Sequence, residues 1–186
     1  MTRAGTLAPY CTPNGPARYS AIEVHNPADP NNEYVTVGWY EFYLVLGGTP
    51  VDFCCYTVDQ AYINNVQVHY HSGDIIPGNQ GMRWKVINVS GGNDWSFYYD
   101  PDDDGLNYVY LDTYGPMNYN IGLPMARTSR RGATTVAYDH PHNLKWADQP
   151  DDQGWHLWDT NILYSDTIPG WHWAWESNNA YQVVAD

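Results

Sequence analysis

Basic residues are scarce in this chain. Eight Lys and Arg stand against 21 Asp and Glu in 186 residues, for a formal net charge of −13. A surface of that sign repels phosphate backbones and anionic lipid, which argues against nucleic-acid and membrane partners. Glutamate occurs only at Glu23, Glu33, Glu41 and Glu176, so a good helix former is in short supply. No apolar run approaches the ~20 residues of a membrane span. No signal peptide is visible around Met1-Thr2-Arg3. A Gly-rich phosphate loop and a G-x-S-x-G nucleophile elbow are both missing, which removes the usual signatures of nucleotide hydrolysis and serine esterases. Cysteine is limited to Cys11, Cys54 and Cys55. Either Cys11 pairs with Cys54 or Cys55, leaving one thiol over, or all three are buried free thiols.

Aromatic residues are abundant: 17 Tyr and 9 Trp. With few Glu and Lys, that balance favours an all-β fold. The same composition, rich in Tyr, Trp and Asn, points to an extracellular, secreted protein. The length fits one domain over residues 1–186. Its first 18 residues carry Pro9, Pro13, Gly15 and Pro16 and read as irregular.

The stretch Met82–Asp112 organises the rest. Three strands are expected, Met82–Val89, Trp95–Asp100 and Leu106–Leu111, because β-branched and aromatic residues dominate and no helical period fits. Trp84, Val86 and Asn88 share one face of the first; Trp95, Phe97 and Tyr99 share a face of the second. Gly and Asn in the two turns supply the positive φ that short hairpin loops need. Such a meander reads as the middle of an antiparallel sheet, with a second layer needed to bury its apolar face. Further strands are expected at Tyr19–His25, Glu33–Leu46, Val51–Val58, Ala61–Tyr70, Asn118–Leu123 and Ala133–Tyr138. Ile162–Tyr164, Trp171–Glu176 and Ala180–Val184 complete the set. Ser72–Gly78 reads as a corner and Arg127–Gly132 as a basic loop. Pro141–Asp159, polar and Trp-rich, reads as partly loop. Short strands broken by Gly, Pro and Asn predict a two-layer antiparallel β-sandwich.

Three segments resemble a known family. Trp39-Tyr40-Glu41-Phe42-Tyr43 resembles the W-Y-E-W-Y segment of the eqolisin glutamic peptidases. Ser72-Gly73-Asp74-Ile75-Ile76 resembles their S/A-G-D-x-I corner, and Trp84–Gly92 the strand and turn that follow. The matches keep the family's order and similar spacing. The resemblance implies a concanavalin-like jelly roll with a concave groove, lined in part by Trp39 and Glu41. The family activates water with a Gln and a Glu. Here no Gln precedes Gln60, and no Glu lies in the strand after the meander, so that pair is missing. Asp112 is the nearest carboxylate to the Glu position, and a shift of ~1 Å matters for catalytic positioning. Glu41 and Asp112 therefore form the alternative, unorthodox carboxylate set of a hydrolase; otherwise the chain is a non-catalytic relative.

Several constellations could carry chemistry. Trp171, Trp173 and Trp175 alternate, so an extended strand projects all three indoles from one face. Such a row either fills a core or forms a platform that stacks on sugar rings. With Trp39, Glu41 and Tyr43 on a shared strand face, an aromatic groove for glycan or another extended polymer is expected. The same surface could instead meet a protein partner. Asp100, Asp102 and Asp104 before Gly105 match the first half of a calcium loop, but Leu111 stands where the bidentate Glu belongs, so an acidic hairpin tip is the competing reading. His69 and His71 share a strand face at a spacing that can chelate zinc or copper, with His140 or His142 as a third ligand. Arg127, Arg130 and Arg131 are read as surface partners for Asp. No other cofactor is expected.

Overall fold

The computed structural model describes residues 2–7, 18–46, 49–76, 81–130, 142–147, 150, 152–157, 171–177 and 180–185. Among these are thirteen strands and no helix: β1 Thr2–Leu7, β2 Arg18–His25, β3 Tyr34–Leu46, β4 Thr49–Ile63, β5 Val66–Ile75, β6 Gly81–Asn88, β7 Trp95–Asp100, β8 Val109–Tyr114, β9 Leu123–Arg130, β10 His142–Ala147, β11 Trp155–Leu157, β12 Trp171–Ser177 and β13 Ala180–Ala185. A six-stranded sheet has the order β11-β10-β1-β6-β7-β8, and a five-stranded sheet the order β5-β4-β3-β2-β9. Strands β12 and β13 form a two-stranded ribbon. Every ladder in the two large sheets is antiparallel.

The two large sheets face each other as a β-sandwich, as the alternation of apolar residues predicts. Ile22, Val24, Val35, Val37, Trp39 and Ala61 come from the five-stranded sheet. Met82, Trp84, Val86, Trp95, Phe97, Tyr99 and Leu144 come from the six-stranded one. Met117 and Tyr119, in the connection from β8 to β9, join the same cluster. Burying side chains of this size contributes roughly 1.5–3 kcal/mol each, which makes this layer the main source of stability. Gly38 lets β2 and β3 approach: a Cβ there would lie 2.1 Å from the Ser20 carbonyl oxygen.

Several local expectations change. The N-terminal segment is not irregular throughout, because β1 inserts between β10 and β6 and completes their ladders. The meander is present as β6-β7-β8, but it ends the sheet, with β8 at the edge. Strand β4 runs unbroken to Ile63, and the chain reverses at Asn64 and Asn65 with φ of 53° and 60°. Two successive positive-φ residues are the requirement of a type I′ hairpin, and asparagine tolerates it best after glycine. Ser72–Ile75 continues β5 and is no corner. Arg127–Arg130 lie in β9, paired to β2, and 118–122 carry no strand. Residues 142–147 and 155–157, read as partly loop, form β10 and β11. The expected strands at Ala133–Tyr138 and Ile162–Tyr164 lie outside the described residues, as do Cys11, Arg131 and His140.

Candidate functional site

Two surfaces of the sandwich gather polar and aromatic side chains. The first is on the outer face of the six-stranded sheet. There β6 and β7 turn Lys85, Ile87, Ser96 and Tyr98 away from the core, alternating with Trp84, Val86, Trp95 and Phe97 inside. The β7–β8 connection walls one side with Leu106 and Tyr108, and Asp152 closes the other. The resulting open groove encloses about 540 Å³. Lys85 is buried at its floor, with its ammonium 3.9 Å from the centre of the Tyr108 ring and 5.0 Å from that of Tyr98. The same ammonium donates to Asp152 Oδ2 at 2.8 Å, and the Trp155 indole donates to Asp152 Oδ1 at 2.9 Å. The Lys85 charge is therefore neutralised, and its ammonium lies over aromatic faces. Tyr98 packs edge-on against Tyr110, which is half exposed.

The second surface is the seam where the edge strands β5 and β8 meet. Hairpin register places Asp59 opposite His71, and Ala61 opposite His69. Asp59 is fully buried, with Oδ2 2.7 Å from His69 Nε2 and Oδ1 2.9 Å from His71 Nδ1. Burial pushes its carboxyl above the usual carboxylate range, while the hydrogen bonds and charge of the two imidazoles pull the other way. From the opposite sheet, Asp112 brings Oδ2 to 3.5 Å from the same His69 Nε2. The His69 ring stacks on Tyr114 at 4.8 Å and on Phe97 at 6.2 Å. Thr57 precedes Asp59 on the same strand face, and its buried hydroxyl has no hydrogen-bond partner.

Of the residues singled out in the sequence, the structure joins His69 and Asp112 in one cluster, which had been assigned to different roles. His71 joins them through Asp59. Sequence reasoning missed Asp59, whose only signal is a lone carboxylate within the apolar face of a strand. Trp39 does not line a groove: it is 1% exposed and sits in the core, since its face of β3 is the one turned to the other sheet. Glu41 and Tyr43 lie in β3, and Trp171, Trp173 and Trp175 occupy alternate positions of β12, but their side chains are outside the described residues, as are those of Cys54, Cys55, Arg127, Arg130 and His142.

The acidic hairpin tip uses its carboxylates on its own backbone. Buried Asp100 accepts from Asp102 N at 3.1 Å and from Gly105 N at 2.6 Å. Asp104 accepts from Leu106 N at 2.7 Å and from Asn107, and the backbone bond to Leu106 lowers its pKa most. Asp103 pairs with Arg83 at 2.6 Å. Asp102 is exposed. These bonds explain the Asp-rich composition of the loop as turn chemistry. Comparison with protein-family models, curated proteins and solved structures finds no match to this chain, so what either surface can do rests on its own residues and geometry.

Proposed function

We propose that this chain is a non-catalytic binding module for a neutral glycan, held in the groove on the outer face of the six-stranded sheet. The observation that carries this reading is the lining itself: Tyr98 and Tyr108 beside Asn88 and Ser96, with the Lys85 charge already balanced by Asp152. Sugar rings present apolar C–H faces to aromatic rings, which Tyr98 and Tyr108 supply, while the Asn88 amide and Ser96 hydroxyl beside them are engaged with Gly92, Asp94 and Thr113. An uncharged ligand suits a groove in which, among the described residues, the Lys85 charge is paired internally with Asp152. A chain of net charge −13 also disfavours anionic polymers. The groove is open, which suits an extended ligand better than a small enclosed one. The proposal moves the aromatic platform from the Trp39 face to the Tyr98 face. Extracellular residence and an eqolisin-type ancestry accord with it and belong to the same proposal.

The test is calorimetric titration of the folded chain with soluble cello-, xylo- and chito-oligosaccharides. At least one should bind, and Tyr98→Ala should weaken it about tenfold, the loss of ~1.4 kcal/mol from one aromatic contact. A panel without any binder, or a bound sugar indifferent to Tyr98→Ala, overturns the reading.

A further inference from the structure

We propose that Asp59, His69 and Asp112 form a binding site for a divalent transition-metal ion at the seam between the two sheets, with His71 positioning Asp59. One ligand atom from each residue, a carboxylate oxygen of Asp59, an imidazole nitrogen of His69 and a carboxylate oxygen of Asp112, lies within 4.8 Å of the other two. Ligands about 2.0–2.2 Å from a zinc-like ion stand roughly 3–3.5 Å apart. The separations of 2.7 and 3.5 Å from His69 Nε2 bracket that range, so a metal is accommodated by small side-chain adjustments.

What distinguishes this cluster from an ordinary ion pair is that each member is anchored by its other atoms. Asp59 Oδ1 is held by His71 Nδ1 at 2.9 Å. Asp112 Oδ1 accepts the Thr113 backbone N–H at 2.7 Å. The His69 ring is fixed in plane by Tyr114 and Phe97. The three converging atoms, two carboxylate oxygens and one imidazole nitrogen, can each present a lone pair to a metal. A single imidazole nitrogen carries at most one proton, so it can satisfy only one of the two carboxylates that approach it. A divalent ion takes a lone pair from all three. Two carboxylates cancel its charge, which matters where Asp59 is fully buried. The outer partner that orients a metal-bound carboxylate or imidazole is a regular feature of such sites.

The donor set names the class of ion. One imidazole nitrogen and two carboxylate oxygens suit zinc, manganese, cobalt or ferrous iron. Calcium prefers six to eight oxygens, and cuprous copper prefers sulfur. Asp112 and His71 are each more than a third exposed at the side chain, so water can complete the coordination from the solvent side. The site is separate from the groove, which lies on the opposite face of the β6–β7 layer, so failure of either proposal leaves the other standing.

Cobalt(II) added to the chelator-treated full chain should produce visible d–d absorption that saturates near one equivalent, and zinc should displace it. Asp112→Asn, altered at a part-exposed side chain, should weaken binding at least tenfold, and His69→Ala should abolish the spectrum. His71→Ala should weaken binding about 10–100-fold, as expected of a group that orients a ligand. His156→Ala, on the exposed edge strand β11, should change nothing. Circular dichroism and melting of each variant establish that it is folded; if His69→Ala is not, Asp112→Asn decides. No spectrum and no zinc heat up to millimolar metal overturns the proposal. So does a titration that is unchanged in folded Asp112→Asn.

Discussion

The Tyr99 hydroxyl donates a 2.6 Å hydrogen bond to the Asp74 carboxylate, and the two residues belong to different sheets. Tyr99 is nearly buried on β7, and Asp74 is exposed on β5. The bond ties the open edge of the sandwich close to where His69 and Asp112 meet. Tyr99→Phe should therefore cost about 1–2 kcal/mol in urea unfolding, the range for a bond to a charged but solvated acceptor. An unchanged midpoint would remove Tyr99 from the seam's stabilising contacts.

The same bond predicts a pH dependence. Burial, the bond to Asp74 and its negative charge push the Tyr99 hydroxyl up to about 12 from its ordinary 10. A raised folded pKa means that the neutral form is favoured by folding. The stabilisation is complete below pH 10 and is lost as pH rises toward 12. The stability gap between the native chain and Tyr99→Phe should be constant from pH 7 to 9 and shrink between pH 10 and 12. A gap that persists to pH 12 would contradict this assignment.

Trp39 is a core residue, so its truncation is a stability experiment. Trp39→Ala should cost about 3–5 kcal/mol, read from the denaturant midpoint. Its indole N–H is buried without a partner, which tempers the loss. A near-native midpoint would place Trp39 at a surface after all.

At the acidic hairpin tip, Asp100→Ala removes the acceptor for two backbone N–H groups. The expected cost is about 2–4 kcal/mol, with Asp100→Asn intermediate because one oxygen remains. Equal stabilities of all three proteins would show that the loop does not depend on this staple.

Gly38→Ala should destabilise by about 1–3 kcal/mol or more, because the new methyl meets backbone and not a movable side chain. The measurement is the melting temperature, and an unshifted value would mean that β2 and β3 can separate without cost.

Strand character and turns were legible in the residues themselves. Period-two alternation in Trp84–Val86 and Trp95–Tyr99 depends only on the pleat, and those faces are the ones turned to the core between the sheets. The Asn64-Asn65 reversal departs from the expected Ala61–Tyr70 strand: β-branched and aromatic residues on both sides masked a turn that two asparagines at positive φ make. Composition sufficed for the all-β class. What no local rule could supply is which face of β3 looks inward. Trp39 and Tyr40 alternate equally well as groove or core, and only the opposing sheet assigned Trp39 to the interior.

The histidine–aspartate cluster shows the same division at its sharpest. His69 and His71 share a face by pleat alone, so their pairing was determined by the sequence. Asp59 joins them because the β4–β5 ladder, started by the Asn64-Asn65 turn, shifts by one residue between Ala61 and Tyr62, and that shift is what brings Asp59 opposite His71. Asp112 is not hydrogen-bonded to either strand's backbone. It arrives from the second sheet because apolar burial presses β8 over β5, and that contact between strands distant in sequence is a property of the folded sandwich and of no single stretch of the chain.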